Sequence, residues 1–100
     1  MNDLPSADLL SALNRASMDV EILAEKASSL GYHGAKVEKA LAALAAFSGP
    51  PDARPAVGRA AAVEVWKFFI QRELCGLRDQ REVIRLYGIP QEVLVRLGAF

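Results

Sequence analysis

The chain has 100 residues, 52% of them apolar and 24% charged, and its twelve basic and twelve acidic side chains cancel to a net charge of zero. Disorder needs low hydrophobicity with high net charge, and a chain-wide grip on nucleic acid or an anionic membrane needs a strong positive excess, so the composition argues against both. One cysteine, Cys75, cannot close an internal disulfide, and one histidine, His33, leaves too few ligands for a structural zinc site.

The longest unbroken apolar run, residues 40–47, is far below the ~20 residues of a bilayer span. The opening residues lack the basic start and apolar stretch of a signal peptide. These tallies predict a soluble cytoplasmic protein, without cofactor or metal, folded as one domain over residues 1–100.

Alanine and leucine supply 30 residues, threonine is absent, and no stretch alternates apolar and polar residues with period two. Both dominant residues are strong helix formers, so the expected fold is all-α. The first helix is expected from about Ser6 to Leu30, with Ser6 as its N-cap, Asp8 in its first turn and Gly31 as its stop. Along it Leu9, Leu13, Ala16, Val20, Leu23, Ala27 and Leu30 recur at alternating spacings of four and three. Such a heptad seam predicts long helices lying side by side.

The link Gly31-Tyr32-His33-Gly34 leads to a second helix, about Ala35 to Phe47, whose apolar stripe is Val37, Ala40, Leu41, Leu44 and Phe47. So short a link predicts an antiparallel helical hairpin. Residues 48–55 hold three of the five prolines and read as an ordered crossover loop.

A long central helix is expected from near Pro55 to at least Leu77, or on to Tyr87. Val63, Trp66, Ile70, Leu74 and Leu77 form one apolar face, while Val65, Phe68, Phe69, Cys75 and Gly76 cover much of the rest. A helix this apolar is buried on more than one side, and the hairpin covers one. Either the C-terminal arm or a second copy must cover the other. That arm opens on a possible capping box, Asp79 to Glu82; Gly88 reads as a helix stop and Pro90 as the start of a last helix, about 90–97.

The expected architecture is therefore a small helical bundle: an N-terminal antiparallel hairpin, a long central helix and a short C-terminal helical arm. The apolar excess of the central helix, with the heptad seam of the first, points to a homodimer across a two-fold axis. Trp66, Phe69, Ile70, Arg72 and Glu73 are its expected interface; Arg72 either snorkels at the rim of the core or bridges to an acid on a partner, and Glu73 either pairs with a basic neighbour or reaches water at the edge. No acid, base and nucleophile converge in the sequence, which predicts a non-enzymatic protein acting through self-association or another protein partner.

Residues 82–97 resemble a helix-turn-helix, with Gly88 as the turn glycine, Ile89 after it, and Leu94 and Leu97 facing inward. The resemblance implies a DNA-binding regulator as the alternative, with Arg81, Arg85, Gln91 and Arg96 at the nucleic acid. Two departures weigh against it. Ile84 stands where the motif usually has alanine, and of the outward residues Gln91, Glu92, Val95 and Arg96 just one is basic.

Overall fold

The structure, a computed structural model, describes residues 6–100. It is helical, without strands among those residues: α1 spans Ser6–Ala45, α2 Arg54–Leu74, α3 Arg81–Tyr87 and α4 Gln91–Leu94, with a single 3-10 turn, Pro51–Ala53, ahead of α2. The cap expected from the Ser6 side chain lies outside the described residues.

The expected hairpin at residues 31–34 is not formed. The two helices predicted on either side of it are one helix of 40 residues. The phase of the apolar stripe explains why. From Leu30 the spacing of four and three continues through Gly34, Val37, Leu41 and Leu44, and an unbroken helix keeps all of these on one face. Neither Gly31 nor Gly34 takes a positive φ.

Gly34 has a packing reason of its own: an added Cβ would lie 2.6 Å from the Tyr87 hydroxyl and 3.7 Å from Phe68. Gly31 meets nothing within 4 Å. Gly31→Ala should therefore stabilise the protein by about 0.5–1 kcal/mol, because a mid-helix glycine costs that much relative to alanine. A chain reversal at Gly31 would instead make the substitution destabilising, and thermal unfolding of the variant reads the sign.

Helix α2 runs back along the C-terminal third of α1. Gly34 lies by Phe68, and Ala40 and Ala43 share a shallow cleft with Ala60 and Glu64, so numbers rise on one helix as they fall on the other. Ala61 and Ala62 are fully buried, and their small side chains let the backbones approach closely. Here, one element later than expected, is the helical hairpin.

Helix α2 stops at Leu74 and does not continue to Tyr87. Gly76 is left-handed at φ +84°, the Leu77 N–H donates to the Arg72 carbonyl at 2.8 Å and the Gly76 N–H to that of Glu73 at 2.9 Å. This is the Schellman arrangement, which satisfies the last free carbonyls and turns the chain. Gly88 repeats it after α3, with φ +62° and the Ile89 N–H donating to the Ile84 carbonyl at 3.0 Å.

The two turns fold the C-terminal arm back onto α2, bringing Val83, Ile89 and Val93 into a core with Val37, Leu44, Ala61, Ala62, Val65 and Phe68. Arg54 closes the return with a forked pair to Glu92, at 3.0 and 2.7 Å, fastening α4 to the start of α2. The expected capping box of α3 is not formed: Gln80 stands at the N-cap, without a side-chain cap bond. Asp79 accepts the Arg81 N–H at 3.1 Å, while Glu82 turns to Arg85 at 3.7 Å.

Candidate interaction surface

The core draws on α1 only from Leu30 onward. Every residue from Ala7 to Ser28 is exposed. At 1.5 Å per residue those 22 residues form an arm of about 33 Å. It accounts for the outline of the molecule, 78 Å long against 23 and 20 Å across, and for a radius of gyration of 20.4 Å where about 13 Å is usual for 100 residues.

The arm carries the heptad seam. Leu9, Leu13, Val20 and Leu23 are 51–66% exposed, and Leu10 on their flank is 59% exposed. The same face of the same helix is covered from Leu30 to Leu44 and bare from Leu9 to Ala27. In proteins an amphipathic helix is held chiefly by packing of its apolar face, and propensity contributes the smaller part.

A second apolar surface lies on α2, where Trp66, Ile70 and Leu74 remain exposed, with the exposed Leu77 just beyond its end. It holds two of the five residues predicted at the interface. Trp66 is partly shielded by Gly98 and by the edge of Phe100, whose ring centre is 6.2 Å away. Phe69 packs against the core from its rim, and Glu73 faces solvent.

Arg72, placed at the expected interface, is engaged within its own chain. It donates to Gln80 Oε1 at 2.7 Å and to the Asp79 carbonyl at 3.0 Å, with its guanidinium 5.9 Å from the centre of the Phe68 ring. The turn after α2 is thereby tied to the core.

The corner resembling a helix-turn-helix exists as α3, Gly88 and α4, although α4 has a single turn of helix. Its inward residue is Val93, fully buried, with Leu94 and Leu97 at the rim. Of the four residues placed at nucleic acid, Gln91 is exposed and Arg81 is paired with Asp79 through bonds of 3.1 and 3.0 Å. Arg85 lies by Glu82, and the half-buried Arg96 side chain packs beside Gly58, whose added Cβ would be 3.3 Å from Arg96 Nε.

The pairs leave an electrostatic signature. Bonds from the Arg81 side chain, then its backbone N–H, hold the Asp79 carboxyl at about 2, below its ordinary 3.8. Arg54 likewise lowers Glu92, its side-chain bonds outweighing the cost of desolvation. A lowered folded-state pKa contributes stability above the unfolded value and loses it as pH falls through the folded one. The stability gap between the protein and Asp79→Asn should therefore be constant above about pH 5 and close towards pH 2, read by urea unfolding across that range.

A family match covers residues 5–100. The chain belongs to DUF6665, a family of unknown function. No curated relative and no solved structure matches it. In this DUF6665 member no helix among the described residues is long and apolar enough to cross a membrane, and none of their His, Cys, Asp and Glu side chains cluster as a metal site would need.

Proposed function

We propose that the protein is a non-enzymatic helical protein that works by self-association, with the bare seam of the α1 arm as its contact surface. One observation carries this reading. A continuous apolar stripe is buried by the chain's own α2 along one third of α1 and meets nothing along the rest.

Full burial of a leucine or valine gains about 1.5–3 kcal/mol, so a half-exposed one gains about 1 kcal/mol when covered. Leu9, Leu13, Val20 and Leu23 from two copies supply about 8 kcal/mol before Leu10 and the alanines are added. The cost of bringing two molecules together is of similar size, about 4–15 kcal/mol, so the net affinity rests on what Leu10, the alanines and the rest of the seam add. The charged side chains support a structural use as well: Arg54 fastens α4 to the start of α2, and Arg72 ties the turn after α2 to the core. The apolar face of α2 stays available for a further protein partner.

Sedimentation equilibrium over a concentration series tests the reading. The mass should rise from 10.8 kDa towards twice that value. A mass of one chain at every concentration up to about 1 mM overturns it.

A further inference from the structure

We propose, resting on the self-association reading, that the occupant of the bare seam is a second copy laid antiparallel, in the register that sets Leu13 of one arm against Leu23 of the other. The seam on the arm is the same face that α2 covers farther along, so α2 restricts what can lie there. A parallel copy would carry its own residues 30–44 alongside residues 30–44 of the first, where α2, Phe68 and Tyr87 already sit. An antiparallel copy avoids this collision. Its tip points towards the end of α2, and its body lies beyond the tip of the first arm.

The end of α2 also sets the register. Gly34 lies by Phe68, and the two helices rise equally per residue, so Leu74 reaches the level of about residue 28. The bare seam starts there and runs about 27 Å from Ala27 to Leu9. An antiparallel pair centred on residue 18 lays Leu9 on Ala27, Leu13 on Leu23 and Ala16 on Val20, and each layer occurs twice. All six bare positions are covered, and the layers at the ends and centre set a larger side chain against alanine.

Sliding one heptad deeper brings Leu9 to the level of Gly34, which Phe68 and Tyr87 occupy. Sliding one heptad the other way leaves Leu23 and Ala27 without a seam residue of the second copy opposite them. The second copy's arm therefore approaches the end of α2, its Leu9 about one residue beyond the level of Leu74.

Cysteine cross-linking in a Cys75→Ser background tests orientation and register together, because Leu13 and Leu23 are exposed and their replacement leaves the core intact. Leu13→Cys and Leu23→Cys proteins are oxidised separately and as an equimolar mixture. The proposal expects a cross-linked dimer in the mixture and, above background, in neither protein alone. Cross-linking of each variant to itself, with none added by mixing, means a parallel pair and overturns the proposal while self-association stands. A concentration-dependent mass with no cross-link in any sample overturns the register. A one-chain mass with no cross-link overturns the self-association reading as well.

Discussion

Leu23→Glu, alone or with Leu13→Glu, is expected to hold the protein at 10.8 kDa over the concentration range in which the unmodified chain doubles its mass. In a two-fold assembly each substitution counts twice. It removes two leucines, about 1 kcal/mol apiece at their degree of exposure, and sets two carboxylates against an apolar surface that offers them no partner. Together these cost at least about 3 kcal/mol, a loss of more than 100-fold in affinity. The body should be untouched, since Leu23 contributes nothing to its core.

A second readout follows from the arm's lack of other support. Freed of its partner, the arm should fray, and with it goes about a third of the far-UV helical signal, because residues 7–28 are that share of the helical residues. Met18→Glu is the control. Met18 is as exposed as Leu9 or Leu13 yet lies on the opposite side of the helix from the seam, so its replacement should leave mass and helicity unchanged. A loss equal to that of Leu23→Glu would mean that the arm makes no use of its heptad face.

The periodicity that carries this reading was legible in the sequence, and so was its continuation. Leu30, Gly34, Val37, Leu41 and Leu44 keep the spacing of the seam without a slip. A reading of Gly31 and Gly34 as punctuation puts a turn where the stripe keeps its phase. Two glycines in a helix cost about 2 kcal/mol together, which an uninterrupted apolar face outweighs. At Gly76 and Gly88 the same residue type does end helices. There the chain has somewhere to go, because Leu77 and Ile89 follow with N–H groups that cap the helix just finished, and Ile89 enters the core. Local residue type does not separate the two cases; phase across the glycine does.

Tertiary partners were harder to read. The pairing of Arg54 with Glu92 spans 38 residues and depends on both Schellman turns, so no local pattern announces it. Arg72 stands on an apolar helix in a place that suits a partner's acid, yet Gln80 and the Asp79 carbonyl, brought back by the Gly76 turn, take its donors first. The central helix does carry more apolar surface than α1 can cover. The C-terminal arm covers part of it and leaves Trp66, Ile70 and Leu74 in solvent.

Phe68→Ala should have the opposite profile from Leu23→Glu. Phe68 is 4% exposed at the point where α1, α2 and α3 meet, with the Tyr87 ring centre 5.3 Å away, Gly34 beside it and the Arg72 guanidinium over its face. Truncating a buried phenylalanine costs about 3–5 kcal/mol, against a total of about 5–15 kcal/mol for a domain of ordinary stability. The fully buried core here is short of large side chains, since Ala61 and Ala62 are among its nine members, so a large fall in urea midpoint is expected. Phe69→Ala, at the rim, should cost clearly less. The arm takes no contact from Phe68, and regions joined by few contacts open with different free energies. At low temperature, where the weakened body stays folded, Phe68→Ala should therefore still reach the two-chain mass. If both variants lose stability and association together, arm and body unfold as one unit, and the seam is then part of the fold instead of a separable contact surface.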